Sequence, residues 1–432
     1  MQKSIKINIS FWIECLLTII LFILSIQNQT LLLITMCCSL LLIKQGEIGV
    51  VKLIFLYMMR YFISPGIDFE GSQLFINIMK YVLIFICGSY FLYQSSRQWA
   101  TNKVMSLFVF GSCLLMTIYA ITSLLTSAFP LVAILKLINY FLPLMIIVLL
   151  ISQIKDFKKL IFWLAVYIEL LIISSSFYIN QPIGKLLNGY SFQGVLNHPN
   201  LYAIIMVMGL TLILVSINYQ RQFIICQLII VAIGTYELVK TNSRTGVLSF
   251  VVCVCLYFLL MNMHKRYKWL IFGSVVMTVV IIFMNPFIQE RIKAFLVKGQ
   301  RSDQALYSRY IQIEYLMDAL DKYPLFGGGF GIPVNNTSLD LLNFTFEAGN
   351  IFFALIIFTG IFGLICYLIY LVFMLFIVQH PFRLTIVLFI STLLVNMGEM
   401  IMFSSTNAGI FCYILWGIYL KEGMELQHES KL

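Results

Sequence analysis

The sequence predicts an all-α protein that crosses a membrane many times. Three observations carry that prediction. Hydrophobic residues make up 61% of the 432-residue chain and charged residues only 11%, whereas water-soluble domains are roughly half apolar and a quarter charged. The charges gather in short stretches between apolar runs of about 17–25 residues, the length of helix that spans a bilayer. No run alternates apolar and polar residues as a membrane barrel requires, so the backbone must satisfy its hydrogen bonds inside helices. A single integral membrane domain over residues 1–432 is the simplest organisation, because no segment is long and polar enough for a separate soluble domain.

Taken in order, the chain offers about 12–14 transmembrane helices. The apolar runs begin near Phe11, Thr30, Ile48, Phe75, Lys103, Pro130, Lys159, His198, Gln222, Ser243, Lys268, Phe346, Arg383 and Thr406. The second and last are short, and the third carries Lys52 and Arg60. Lys3 and Lys6 precede the first run as in a signal peptide. No small-x-small cleavage site follows, and "SIQNQT" leads straight into the next run, which reads as a retained first helix.

With the N-terminus in the cytoplasm, the inner connections hold Lys44 and Lys52; Arg97 and Lys103; Lys155, Lys158 and Lys159; Arg221; Lys265, Arg266 and Lys268; Arg383; and Lys421. The outer stretches "SIQNQT", "SPGIDFEGS" and "TSAFP" hold no Lys or Arg. This is the positive-inside pattern of a cell-membrane protein. An even number of spans returns the C-terminus to the cytoplasm. The same asymmetry accounts for most of the net charge of +10, so the charge does not point to nucleic acid. The ten cysteines lie almost entirely in apolar runs. Their spacing fits no zinc or disulfide framework, and they read as small buried residues.

Three outer segments break the charge rule: residues 180–200, the connection "TNSRTG" with Lys240 before it and Arg244 within it, and the long loop of residues 285–347. In "TNSRTG" the following helix starts at the outer side. Asn242 or Ser243 can cap it. Arg244 and the free N–H groups of Thr245 and Gly246 then converge on one spot suited to an anion, phosphate above all. The plain alternative is a snorkelling arginine. "GVLNHPNLYA" also opens a helix from outside, with Asn197 as a cap and Pro199 in the first turn. It sets His198 and Asn200 at the membrane surface, His198 being a candidate base or simply part of a capping turn.

In the long loop, Leu306, Tyr310, Ile313, Met317 and Leu320 fall on one helical face. Ser302 or Asp303 can cap that helix, and Pro324 with Gly327, Gly328 and Gly329 ends it. The prediction is an amphipathic outer helix lying over the membrane domain, with Arg309 at the border of its apolar face. The glycines permit tight turns and close approach. No Gly-Lys-Ser/Thr follows, so they do not form a P-loop. Glu347 and Asn350 stand at the outer start of the next span, where Glu347 can simply complement the helix dipole. Further on, "NMGEM" puts Glu399 in or near hydrocarbon, where an acid is a functional group or the partner of a base.

Taken together and in this order, "NHPN", "NSRTG", "SRYIQIEYLMDALDKYPLFGGGFG" and Asn350 with Gly360 and Gly363 resemble the O-antigen ligase/polymerase superfamily. That superfamily holds the Wzy-type polysaccharide polymerases and the lipid-A-core O-antigen ligases. The resemblance covers residues 193–363 and the overall helix layout. It implies a GT-C-like fold and transfer of a glycan at the outer face of the cell membrane. The donor would be an undecaprenyl-pyrophosphate-linked oligosaccharide, as in capsule or exopolysaccharide synthesis, and the acceptor a sugar hydroxyl on another lipid-linked unit. The implied partners are that substrate and the lipid bilayer, with polysaccharide-export proteins as further candidates.

The resemblance points to Arg244, Arg309, Glu347 and His198 as catalytic residues. Asn200, Ser243, Thr245, Gly327, Gly329 and Asn350 would bind substrate. No cofactor is expected: the chain has no Asp-x-Asp for a divalent metal, and the arginines with the helix N-termini can meet the charge that builds on pyrophosphate. One position departs from the pattern. The ligases usually carry a histidine just before the asparagine, and this chain has Gly349 there. That favours the polymerase branch and leaves Glu347, two residues earlier, as an acid/base by proximity. A ligase with a different acceptor is the rival within the class. A lipid-linked oligosaccharide flippase is the rival outside it, and would need Arg60, Lys80 and Lys136 to line one cavity.

Overall fold

The computed structural model of the chain describes residues 9–69, 72–261, 307–332, 349–378, 383–404 and 408–429, with residues 266, 273, 285, 289 and 290. Its regular elements are helices. They are α1 (Ile9–Leu24), α2 (Gln29–Ser39, prolonged by a 3-10 turn over Leu40–Gln45), α3 (Glu47–Tyr61), and α4 (Ser72–Val82), which runs through a π turn (Leu83–Gly88) into α5 (Ser89–Gln94). Then come α6 (Ser96–Thr101), α7 (Lys103–Thr126), α8 (Pro130–Gln153), α9 (Phe157–Ser176), α10 (Pro199–Ile217), α11 (Ile224–Lys240) and α12 (Arg244–Leu260). The last are α13 (Tyr307–Lys322), α14 (Ile351–Phe376), α15 (Ile386–Gly398) and α16 (Gly409–Glu429). The span expected near Lys268 lies outside the described residues. Every other predicted span begins within a few residues of one of these helices. Among the described residues, six helices are long and apolar enough to cross a bilayer. The architecture is that of a polytopic membrane protein.

α10 is the centre of the bundle. Its sequence is apolar all round, the pattern of a fully enclosed helix, and every residue from Tyr202 to Ile217 is buried. It packs on α9, α11, α12 and α15. Gly209 lets α9 come close: a Cβ there would lie 2.5 Å from Ile168 Cγ2. Small residues allow such approach between membrane helices. By contrast α11 leaves Ile225, Leu228, Ile229 and Tyr236 exposed, as expected of a helix whose outer flank meets lipid.

Lys52 and Arg60 do not keep α3 at the surface, because each is matched inside the protein. Lys52 pairs with Glu14 of α1. Arg60 pairs with Asp68, and its Nε also donates to Ser25 Oγ at 3.0 Å. A buried guanidinium is tolerable only when its charge and donors are satisfied in this way.

The predicted outer and inner connections sort to opposite ends of the bundle. At one end, Ser64 N donates to Val195 O and Asn197 N to Phe62 O, both at 2.9 Å, and Phe192 N donates to Lys240 O at 3.0 Å. At the other, Tyr219 O–H donates to Glu422 Oε1 at 2.7 Å, Arg383 Nη1 to Glu422 O at 2.8 Å, and Lys421 Nζ to Ser152 O at 3.0 Å. The first is called the outer end below, after the positive-inside reading.

The outer helix is present as α13, but it turns a different face to the protein. Tyr310, Ile313 and Met317 are exposed, while Ala319 is buried and Gln312, Tyr315 and Leu316 are half-buried. Tyr310, Ile313 and Met317 of the stripe expected to lie over the domain therefore point away from it, while Leu320 is half-buried and Leu306 lies outside the described residues. Hydrophobic periodicity marks an apolar face without saying what covers it, and at a bilayer surface lipid covers such a face as well as protein does. The expected caps Ser302 and Asp303 lie outside the described residues.

Candidate functional site

Two helix N-termini meet at the outer end. His198 is the N-cap of α10. Its backbone is extended, and its Nδ1 accepts from Asn200 N at 3.1 Å. Asn197, expected as the cap, stands one residue too early, and its own N–H is bonded to Phe62 O. Ser243 caps α12, its Oγ accepting from Gly246 N at 3.2 Å. The turn before it is drawn tight by Asn242 at φ 57° and by Ser243 N donating to Thr241 Oγ1 at 3.1 Å. Asparagine tolerates this left-handed backbone better than most residues. Arg244, the first residue of α12, is half-buried, and Thr245 is exposed.

The two N-termini are close neighbours. A Cβ on Gly246 would stand 3.1 Å from Ala203 Cβ. The first turns of α10 and α12 thus lie side by side and start at the same end. Their dipoles add there, and the Arg244 guanidinium adds a full charge.

A third element reaches this spot. α15 stops at Gly398, whose Cα is pressed on Thr245: a Cβ there would lie 2.4 Å from Thr245 Oγ1. The next residue, Glu399, has extended backbone (φ −143°, ψ 125°). Its Oε1 accepts from Asn200 Nδ2 at 2.7 Å. Asn396 holds this exit in place, its Oδ1 accepting from Ile401 N at 3.0 Å and Met402 N at 2.8 Å. Glu399 is therefore half-buried at the outer end of α15, beside the anion-friendly termini. The sequence alone does not single out Glu237. It is fully buried, accepting from Tyr202 O–H at 2.6 Å and Ser176 Oγ at 2.8 Å. Its only signal was an acid in the last turn of an apolar helix.

The outer helix forms the other half of this end. After α13 the chain turns through Pro324 and the glycines and docks on α14 where that helix is broken at Gly360 (φ 68°). The break leaves backbone groups unpaired within the helix, and the turn supplies partners. Gly328 N donates to Ile357 O and Gly329 N to Phe358 O, both at 3.0 Å; Ile361 N donates to Pro324 O at 3.0 Å and Phe362 N to Leu325 O at 3.2 Å. Gly327 and Gly329 are buried in this contact. A Cβ on Gly327 would lie 2.4 Å from Thr359 N, and one on Gly329 2.4 Å from Ser127 Cβ. Next, Phe330 N donates to Ser123 Oγ at 3.0 Å, and the Phe330 ring stacks on Tyr119 at 5.5 Å and meets Phe403 edge-on at 5.9 Å.

Asn350 caps α14, its Oδ1 accepting from Phe352 N at 2.8 Å. Gly349 before it has φ 65°, and a Cβ there would stand 2.3 Å from Gln312 Nε2 of α13. The space a side chain at 349 would take is filled by the Gln312 carboxamide. Arg309 lies in α13, one turn before Gln312. Glu347 lies outside the described residues.

The structure thus brings His198, Asn200, Ser243, Arg244 and Thr245 together with Glu399. It sets Gly327, Gly329, Asn350 and the helix of Arg309 in a second group, joined to the first through Phe403 and Phe330. Among the described contacts, Arg60, Lys80 and Lys136 each have a partner of their own. Arg60 is held by Asp68. Lys80 donates to Asn77 Oδ1 at 2.6 Å and sits over the Tyr81 ring at 4.3 Å, and Lys136 donates to Gly331 O at 2.6 Å. A cleft of about 1240 Å³ opens at the inner end between Glu14, Gln45, Lys52, Lys155 and Asp156, and shares none of the outer-end residues.

Residues 228–368 match the family model described as O-antigen ligase. That stretch takes in α12 with Arg244, α13 with Arg309, the glycine turn and the break of α14. That match over a third of the chain supports the O-antigen ligase/polymerase superfamily. No curated protein matches the chain. The match and the apolar helices support a multi-pass membrane protein that handles glycans as a ligase or polymerase, and the family implies lipid-linked glycan substrates. His198, Asn200 and Glu399 fall outside the matched stretch, and α10 and α15 carry them to its edge.

Proposed function

We propose that the chain is a polysaccharide repeat-unit polymerase of the cell membrane, of GT-C type, with both termini cytoplasmic. It would extend a glycan by transfer from an undecaprenyl-pyrophosphate donor to a sugar hydroxyl of another lipid-linked unit at the outer face, without a metal. The observation that carries this reading is the side-by-side start of α10 and α12, with Arg244 as the first residue of α12. As the anomeric C–O bond breaks, pyrophosphate leaves with the electron pair. Paired donors of Arg244 and the dipoles of two capped helices are suited to that charge. In this reading Arg309 closes on the pyrophosphate from α13, which is held over the domain by the glycine turn. Asn200, Ser243, Thr245 and Asn350 line the path of the glycan. His198 and Glu347 stand near the acceptor, and residues 285–347 form the outer loop of a single membrane domain.

Two observations favour this reading over its rivals. Position 349 has no side chain, and Gln312 fills the space, which departs from the histidine of the ligases. Arg60, Lys80 and Lys136 are engaged separately, which does not suit the cationic path of a flippase. The test uses purified protein with lipid-linked repeat units alone. A ladder of products is expected, and Arg244→Ala should lower turnover by about 10²–10³-fold, the cost of removing one donor to a developing anion. A ligase makes no ladder from donor alone. Normal ladders from a well-folded Arg244→Ala protein would remove Arg244 from the site.

A further inference from the structure

We infer that Glu399 takes the proton from the acceptor hydroxyl, with Asn200 as the residue that positions it. This rests on the transferase reading above. A sugar hydroxyl is a weak nucleophile, and a base within reach of its proton speeds transfer. That base must stand beside the anion site, reach the substrate from the outer end, and hold a fixed direction.

Glu399 meets each condition. α15 ends one residue before it, and the extended backbone turns the side chain out of the helix toward the first turn of α10. The 2.7 Å bond from Asn200 Nδ2 fixes one carboxylate oxygen. A carboxylate has about four acceptor sites, more than the Asn200 bond uses. Gly398 on Thr245 puts the acid next to the residue that follows Arg244. Half-burial leaves it reachable. The other described groups are less suited. Glu237 is fully buried and accepts from Tyr202 and Ser176. The Nδ1 of His198 accepts the N–H of Asn200 as a helix cap. Position 349 has no side chain at all.

The step balances. The acceptor oxygen bonds to the anomeric carbon of the donor sugar and its proton passes to the Glu399 carboxylate. The bond from that carbon to the pyrophosphate oxygen breaks, and pyrophosphate leaves with the electron pair toward Arg244 and the helix N-termini. The Glu399 carboxyl then gives its proton to water.

Glu399→Gln is the decisive variant, because it keeps an oxygen to accept from Asn200 but cannot take a proton. A purely structural Glu399 would survive the change. Purified wild type, Glu399→Gln and Glu399→Asp are compared for turnover of lipid-linked repeat units across pH, for retention of the lipid-linked donor, and for thermal midpoint in detergent. Turnover of the Gln variant should fall about 10²–10⁴-fold, with donor retention and midpoint unchanged. The acidic limb of the pH–rate profile should disappear, and the Asp variant should recover part of the rate. Turnover within tenfold of wild type in Glu399→Gln, or a loss matched by lost donor retention and a lower midpoint, overturns the role of Glu399 alone. A wild-type protein that transfers nothing from the donor overturns this inference and the transferase reading together.

Discussion

At the outer end, the α10–α12–α15 side and the α13–α14 side are held by different kinds of bond. On the first side the ties run through side chains: His198 and Ser243 cap helices, Asn200 holds Glu399, and Asn396 braces the exit from α15. On the second the glycine turn is tied to α14 backbone to backbone, across glycines that leave no room for a Cβ. A tie made by a side chain can be exchanged without moving the chain. A tie made by two backbones cannot. The first side is therefore where chemistry can be tuned by single residues. The second is scaffold that sets the height and angle of the helix carrying Arg309.

That contrast breaks or sharpens on stability measurements. The largest effect is expected from Gly360→Ala. The residue has φ 68°, and its Cβ would lie 2.2 Å from Leu325 C and O. Backbone cannot swing aside as a side chain can, so the cost should be about 3 kcal/mol, read as the deepest fall in thermal midpoint of detergent-purified protein. An unchanged midpoint would mean that the glycine turn does not dock on the break of α14.

An intermediate effect is expected at Gly349. The neighbour that a Cβ would meet is the far end of Gln312, which can move, while φ 65° still strains any other residue. Gly349→Ala should cost roughly 1–2 kcal/mol. Adding Gln312→Ala should return part of it, a coupling of about 0.5 kcal/mol or more in a double-mutant cycle. Strict additivity would place the two residues apart. The smallest effect is expected from Ser243→Ala, which removes one cap and should cost about 1 kcal/mol. A loss as deep as that of Gly360→Ala would erase the distinction between the two sides.

Much of this end was legible in the sequence. "TNSRTG" declared an outward-starting helix with an arginine in its first turn, and "NHPN" declared another, because caps and charge asymmetry are local signals. The local pattern points to Asn197 as the cap, and the structure differs because the Asn197 N–H is bonded to Phe62 O, 135 positions away. Which face of α13 the protein covers is not legible in the sequence, because Tyr310, Ile313 and Met317 are apolar whether lipid or protein covers them. Gly327 and Gly329 were noticed as turn formers, yet nothing in the sequence named the break at Gly360 as what they dock on.

The sequence by itself determined the all-helical membrane architecture, the order of most helices, and which connections carry unexpected charge. Each of these follows from run length or from counting charges along the chain. Only the tertiary structure decided that Asn200 meets Glu399 across 199 residues, that the starts of α10 and α12 lie together, and that Gln312 occupies the space beside Gly349. Those pairings depend on how closely two backbones approach, and an apolar helix reads the same whichever neighbour it finally packs against.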